Sequence, residues 1–219
     1  VLPDTEYQVA YVNNRHVSTE GNPAKVVVTN KTGGNYQIAE VEVKFQITHR
    51  TQEALSIIQK PDTVTYGDHF TLETSGGSGN GLVTWEIIAV DGATVATVDQ
   101  DSGQVSIVGS GKATVRATKS GKDPATGLTN YEDAIAIWTL TASKKPVTAV
   151  VTAANKLYDA SKTADLTVTI NRSDLVGTDP FTVNATGHFT DANVGENKTV
   201  IIDSLTIPAD VSAKYDISW

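Results

Sequence analysis

The sequence has no cysteine and no methionine among its 219 residues. A chain without cysteine has no disulfide, no thiolate metal site and no cysteine nucleophile. Cytosolic proteins usually keep a few cysteines, so their absence favours an exported bacterial protein. The sequence begins Val1-Leu2-Pro3-Asp4, without the basic and apolar regions of a signal peptide. We therefore expect it to be a segment of a longer precursor.

Long apolar runs and clusters of positive charge are also lacking. No apolar run approaches the roughly 20 residues that a membrane-spanning helix needs. The formal net charge is −8, and an acidic chain without a basic cluster repels nucleic acid. Hydrophobic residues make up 39% of the chain, which is enough for a buried core. The composition therefore predicts a globular segment with no membrane-inserted and no nucleic-acid-binding part.

Short segments of alternating polarity dominate the sequence, and clusters of Gly, Asn, Asp and Ser separate them. In the clearest one, residues 38–47, apolar residues from Val41 to Ile47 alternate with charged and polar ones. This two-residue period, together with the many Val and Thr residues, predicts half-buried antiparallel strands. Further strands are predicted at 25–29, 69–74, 82–88, 104–108, 112–118, 134–141, 147–152, 166–170, 181–189, 198–203 and 215–219. We therefore predict an all-β chain of tandem immunoglobulin-like β-sandwiches or related small β modules, with one helical turn at 173–176.

Two changes of pattern predict three parts. One lies near residues 48–53, after a long strand, and the other at Ser143-Lys144-Lys145-Pro146, where a basic pair and a proline follow a strand. The predicted parts are the end of a β surface repeat (1–52), an immunoglobulin-like domain (53–143) and a further β repeat (144–219). The outer parts have few strands for a closed sandwich, so we expect both to be truncated and the least stable. We also expect the three parts to unfold semi-independently.

Two motifs in the last part resemble a known family. Residues 156–160 read KLYDA, and residues 187–198 read GHFTDANVGENK. The pair resembles the YDG repeat of filamentous adhesins and gut-bacterial surface proteins, with its K-x-Y-D-G and G-x-F-x-D-x-N-V-G-x-N-K motifs. Ala160 replaces the glycine of the repeat, which disfavours a left-handed turn at that position.

The other two parts resemble further bacterial repeats. Residues 65–72 (TYGDHFTL) and 111–117 (GKATVRA) are similar to a bacterial immunoglobulin-like domain of group 2. Residues 7–14 (YQVAYVNN) and 24–28 (AKVVV) resemble the end of a surface repeat. Together the resemblances imply an extracellular chain on a bacterial cell surface, whose modules space out a functional tip or bind a partner weakly.

No motif predicts catalysis or a bound metal. The glycine-rich loop at 76–79 has no following helix to form a nucleophile elbow. Residues 99–103 (DQDSG) fit a hairpin turn, with weak calcium binding as the alternative. Asp159 and Asp191 could form a carboxylate pair, but nothing in the sequence predicts a cleft around them. The histidines are too widely spaced for a local metal-binding pair, at His16, His49, His69 and His188. We therefore predict no catalytic residue, no cofactor and no metal site.

Trp85 alternates with Val83 and Ile87 on one face of a predicted strand. This placement is typical of the core tryptophan of an immunoglobulin sandwich, with a sugar-stacking platform as the alternative. The same interpretation applies to Trp138.

The sequence thus predicts a non-catalytic structural or stalk segment of a bacterial cell-surface, adhesin-like protein. Its predicted partners are the neighbouring modules of the same chain, with a host surface protein or glycan as further candidates. The alternative is a host glycan- or protein-binding module that uses loops at one end of a sandwich or an edge strand. No loop carries a cluster of aromatic residues, which counts against sugar binding.

Overall fold

The computed structural model of the chain describes residues 3–90 and 94–219. These residues form 18 β-strands, one single-turn α-helix and one short 3-10 helix. The all-β fold predicted from the two-residue period is therefore confirmed. Neither helix in the described residues is long and apolar enough to span a membrane.

Residues 3–52 contain one three-stranded antiparallel sheet. Its strands, in sheet order, are β1 (Tyr7–Val12), β2 (Ala24–Asn30) and β3 (Val41–Phe45). Apolar side chains share one face, but Tyr11 and Val43, in the same cross-strand row, are 64% and 59% exposed. The prediction that this face packs on a core is wrong for the described residues, because no second sheet covers it. The strand is also shorter than the predicted 38–47.

Residues 55–143 form a β-sandwich, here called the middle module. In chain order its strands are β4 (Leu55–Ile58), β5 (Val64–Thr65), β6 (His69–Thr71), β7 (Glu73–Gly76), β8 (Val83–Val90), β9 (Ala96–Val98), β10 (Gln104–Ile107), β11 (Gly111–Lys119) and β12 (Ala134–Ser143). The strand orders are β6-β10-β9 and β5-β12-β11-β8, and β4 pairs with β7 in a separate two-stranded sheet. The pair β5–β12 is parallel, and the other strand pairs are antiparallel.

The core of the middle module lies between its two layers. Trp85 is 5% exposed in this core, so its predicted burial is confirmed. Trp138 packs at the margin, edge to face against Phe70 with the ring centroids 6.1 Å apart. The largest fully buried side chains are Leu72, Val95, Val105, Ile107, Val115 and Leu140.

Residues 145–218 form two three-stranded sheets, here called the last module. Its strands are β13 (Lys145–Ala153), β14 (Thr163–Ala164), β15 (Leu166–Ile170), β16 (Asn184–Phe189), β17 (Val200–Thr206) and β18 (Tyr215–Ser218). The sheet orders are β15-β13-β18 and β14-β16-β17. The predicted helical turn is the 3-10 helix Arg172–Asp174, and α1 (Ala209–Ser212) precedes β18.

Strand pairing follows the three predicted parts, since every pair of named strands in the described residues lies within one of them. An isolated bridge between Arg50 and Tyr131 joins the first part to the middle module. Only Lys144 separates β12 from β13. The exact boundaries at 52/53 and 143/144 stay a prediction.

Candidate interaction sites at the module ends

The turn after β5 inserts Tyr66 into the core of the last module. Tyr66 is 6% exposed, and its hydroxyl donates to Oδ2 of Asp179 at 2.6 Å. The hydroxyl of Tyr215 donates to the same oxygen at 2.8 Å and accepts the backbone N–H of Val176 at 2.9 Å. The two tyrosine rings meet edge to face, with centroids 5.4 Å apart. One carboxylate oxygen therefore holds side chains from both modules.

The charges at this joint favour an ionised carboxylate. Lys214 Nζ lies 3.5 Å from Oδ1 of Asp179 and 5.3 Å from the centroid of the Tyr66 ring. Burial acts to raise the pKa of Asp179, but hydrogen bonds from the two tyrosines and the charge of Lys214 outweigh it, so this pKa is lowered. Burial, and then the bond to Asp179, raises the pKa of Tyr66 to about 12. Burial also raises the pKa of Tyr215 to about 12. At neutral pH both phenols therefore keep their protons and can donate to the carboxylate.

Close contacts beside Tyr66 leave little room at the joint. Gly67 has a φ of +92°, and a Cβ on it would lie 2.4 Å from Cγ2 of Val176. Glycine is needed here both for its left-handed backbone and for the close approach of the two modules. On the other side, the hydroxyl of Ser110 donates to the backbone carbonyl of Ala213 at 2.6 Å. Both contacts therefore join the middle module to the last module in addition to the connection at Lys144.

We expect acid to weaken this joint. Folding lowers the pKa of Asp179 below the value of about 3.9 that it has in the unfolded chain. The ionised Asp179 carboxylate therefore stabilises the fold in full at pH values above that unfolded pKa. This stabilisation is lost as the pH falls from the unfolded pKa through the lower pKa of the folded state. The free energy of unfolding, measured with denaturant between pH 7 and pH 2, should fall more steeply for the wild type than for Asp179→Asn. Parallel curves for the two proteins would contradict this account.

The first sheet meets the middle module through Asn130. The Asn130 side chain accepts the backbone N–H of Val17 at 3.2 Å, and its Nδ2 lies 3.1 Å from Nδ1 of His16. Its backbone carbonyl accepts the N–H of Arg50 at 3.0 Å. The buried Gln52 side chain donates to two backbone carbonyls of the middle module, at 3.0 and 2.8 Å. This junction is therefore built from polar contacts, whereas the joint at Tyr66 combines polar contacts with an apolar core.

The far end of the last module carries an open groove of about 830 Å³. Its walls are the loop between β13 and β14 and the loop between β16 and β17, which contain the two YDG-like motifs. At its rim the apolar side chains of Leu157, Tyr158 and Val194 are 90%, 68% and 85% exposed. The groove therefore offers apolar contact area that the fold itself does not use.

Lys156 ties the first motif to the second. Its Nζ donates to Oδ1 of Asp159 at 2.9 Å, and to the backbone carbonyl and hydroxyl of Ser161 at 2.9 and 3.0 Å. The same Nζ lies 5.7 Å from the centroid of the Phe189 ring. Lys156, Asp159 and Phe189 of the two motifs therefore belong to one cluster of contacts.

Lys198 has the same role in the second motif. Its Nζ donates to Oδ1 of Asp191 and, at 2.7 Å, to the backbone carbonyl of Asn193. The hydrogen bond from Lys198 and the backbone N–H of Asn193 lower the pKa of Asp191. The backbone N–H of Ser161, and then Lys156, lower that of Asp159. The structure thus brings both carboxylates to one groove, where the sequence predicted no cleft.

Ala160 adopts the left-handed backbone of the glycine it replaces, with a φ of +59°. The expectation that alanine disfavours this turn was wrong, because the bonds of Lys156 and Ser161 to Asp159 hold the loop. The strain remains, so Ala160→Gly is expected to raise the free energy of unfolding by about 0.5–1 kcal/mol. Denaturant unfolding would measure this gain in the free energy of unfolding. Ala192→Gly, in the same groove, is the control. An equal gain in the control would contradict the assignment of strain to Ala160.

The histidines do not converge on a metal site in the described residues, where no group of three or more potential ligands occurs. His69 Nδ1 lies 2.9 Å from Oγ of Ser106, and His188 Nδ1 lies 2.9 Å from a carboxylate oxygen of Asp203. Asp99 accepts the backbone N–H of Ser102 at 2.8 Å. Residues 99–103 therefore form the predicted hairpin turn between β9 and β10.

Sequence reasoning missed the joint at Tyr66. It used this residue only for the resemblance of residues 65–72, and its partner Asp179 lies 113 residues further along the chain. Hydrophobic periodicity has no means of pairing two such positions. The only local signal was an aromatic residue beside the glycine of a tight turn.

Comparison with known proteins gives one family match. Residues 143–218 match the family described as the YDG domain, which confirms the resemblance of the last module. No curated protein matches the chain.

Solved structures similar to this chain include the following three. The C-terminal 282-residue fragment of intimin, in complex with the intimin-binding domain of the translocated intimin receptor, is 17% identical with a TM-score of 0.31. The match covers 68% of this chain and 54% of the fragment, so the chain spans about half the length of that structure. Drosophila N-cadherin EC1-4 is 12% identical over 92% of this chain and 67% of that one, with a TM-score of 0.30. Cadherin domains 3–6 of protocadherin gamma B2 are 14% identical over 88% and 60%, with a TM-score of 0.32.

Proposed function

We propose that this segment is a non-catalytic spacer in the stalk of a bacterial cell-surface, adhesin-like protein. The joint at Tyr66 carries the proposal, because a side chain of one module completes the core of the next. Two modules connected in this way form a semi-rigid rod in which each repeat contacts its neighbours. The YDG match of residues 143–218 supports the proposal.

The groove supports a non-catalytic function. A carboxyl group that acts as a general acid needs a raised pKa. Asp159 and Asp191 both have a lowered pKa, and each is held by a lysine. These carboxylates therefore order the two loops and are poorly suited to proton transfer.

Measurements of rotational diffusion by NMR relaxation would test the spacer proposal. In the full chain, amides of the middle and last modules should report the same correlation time. Five Gly and Ser residues inserted between Lys144 and Lys145 should let the two modules tumble separately. The same insertion in the exposed loop at 124–127 is the control and should leave their tumbling coupled. Separate tumbling in the unmodified chain would overturn the proposal.

The second candidate function is binding of a host glycan or protein at the groove, and the exposed Leu157, Tyr158 and Val194 favour it. A glycan array and binding to host-cell surfaces would test it. Tyr158→Ala should abolish specific binding, and Ile137→Ala, which removes a side chain that is 60% exposed on the middle module, should not. If both variants lost binding equally, or if the wild type bound nothing, the groove would not be a binding site. The spacer function would then be the one remaining candidate.

A further inference from the structure

Asn80 is the one asparagine in the sequence that a glycine follows. It is exposed and lies in the loop between β7 and β8. The amide carbon of an asparagine and the backbone nitrogen of the next residue can close a five-membered ring, because the two groups are held close together in one chain. Gly81 has no Cβ, so no side chain hinders its nitrogen.

The hydrogen bonds around this pair leave both reacting atoms open. In the residues that the structure describes, the N–H of Gly81 donates no hydrogen bond. The Asn80 side chain is held through Nδ2, which donates to Oδ2 of Asp123 at 3.2 Å. Ring closure expels Nδ2 and attacks Cγ, so this hydrogen bond does not occupy the carbon under attack.

We propose that Asn80 is a site of spontaneous deamidation, and that its product loosens the junction between the first sheet and the middle module. The Gly81 nitrogen loses its proton to solvent base and bonds to Cγ of Asn80. The Cγ–Nδ2 bond breaks, and Nδ2 leaves as ammonia with a proton from water. Water then opens the succinimide: attack at Cγ gives aspartate, and attack at the backbone carbonyl carbon gives isoaspartate. In isoaspartate the main chain runs through Cβ and Cγ.

The fold has no room for the longer main chain of isoaspartate. A Cβ on Gly81 would overlap the backbone carbonyl oxygen of Ser120, so an added methylene group beside Gly81 has to displace one of the two loops. Both products also place a second carboxylate beside Asp123. The backbone N–H of Ala125, and then the Asn80 side chain, lower the pKa of Asp123. Deamidation therefore replaces a favourable hydrogen bond by repulsion between like charges.

The two displaced loops carry contacts to the first part of the chain. The loop before β8 is tied to Gln52 through Ser78, whose N–H donates to Oε1 of Gln52 at 2.9 Å. The loop between β11 and β12 contains Asn130, which accepts the backbone N–H groups of Val17 and Arg50. A shift of either loop therefore acts on this junction. The inference does not depend on the spacer function.

Peptide mass mapping of the full chain during storage at constant temperature would test the site. Asn80 should convert from amide to acid at least about tenfold faster than Asn130 or any other asparagine. The rate should rise with pH, because the attacking nitrogen must first lose its proton. Asn80→Gln is the matched control: it keeps an amide donor for Asp123, but its ring would need six members, so it should stay unconverted over the same time. Conversion of Asn80 no faster than that of Asn130 would overturn the proposal.

Hydrogen exchange of the stored protein would test the consequence. The amides of Val17 and Arg50 should exchange about fivefold or more faster in stored than in fresh wild type. The amide of Val115, in the core of the middle module, should not change and is the internal reference. Stored Asn80→Gln should match its fresh sample. Unchanged exchange at Val17 and Arg50 in fully converted wild type, or an equal increase in stored Asn80→Gln, would overturn the effect on the junction.

Discussion

Replacement of Trp85 by alanine is expected to lower the free energy of unfolding of the middle module by about 3–5 kcal/mol, the range for large aromatic residues in cores. Trp85 is 5% exposed between the two layers. A Cβ on Gly103 would lie only 2.9 Å from the indole nitrogen, so the turn before β10 is fitted to this ring. A backbone turn cannot collapse into the space that the indole leaves, and the substitution therefore creates a cavity. Guanidinium unfolding followed by circular dichroism would measure the loss.

Trp219→Ala is the matched control for Trp85→Ala. Trp219 is 62% exposed, so its removal should change the free energy of unfolding by less than about 0.5 kcal/mol. A similar small effect at Trp85 would show that the sandwich does not depend on this ring. Red-shifted, readily quenched emission from Trp85 in the native state would lead to the same conclusion.

Tyr66→Ala is expected to separate the unfolding of the middle module from that of the last module. The ring belongs to the core of the last module, so its loss should cost about 3–5 kcal/mol. It also leaves Asp179 with one tyrosine partner where it had two. Sequence analysis expected semi-independent unfolding, but this shared core predicts one common transition for these two modules in the wild type. Calorimetry should show that transition divide in two in the variant.

Tyr66→Phe separates the contribution of the ring to the joint from that of the hydroxyl. It keeps the apolar contact and removes one hydrogen bond to a charged group, which is worth about 1.5–3 kcal/mol. The two modules should then still unfold in one transition, at a lower temperature. Two transitions in the wild type, or an unchanged single transition in Tyr66→Ala, would contradict the role assigned to the joint.

The two-residue period predicted the strands well where they are long enough to show it. The strands β8, β11 and β12 span eight to ten residues, and the sequence placed all three within a few residues. The strands β5, β9 and β14 have only two or three residues, so they contain too few alternations to be recognised. In β3 the alternation correctly predicted which residues share a face, since Val41, Val43 and Phe45 do so. It could not predict whether anything covers that face.

The candidate sites were predictable only in part. The two motifs of the last module were identified from sequence, but not that Lys156 joins them through Asp159 and Phe189. That contact depends on two loops meeting at one end of the module, which is a property of the topology. The turn at Ala160 shows the limit of residue preference, because several hydrogen bonds outweigh a local strain of about 1–2 kcal/mol.

The parallel pairs β5–β12 and β13–β18 determine how the chain responds to a pulling force. In the last module the chain enters at Lys145 and leaves at Ser218, so tension slides β13 and β18 along each other. All four residue pairs between these strands then resist at once, whereas strands pulled apart from one end break their bonds one by one. The two pairs between β5 and β12 are also parallel, but there β4 precedes β5, so tension loads the β4–β7 pairing first. Tyr66 lies between these two parallel patches, so a load passes from module to module through packed side chains as well as through Lys144.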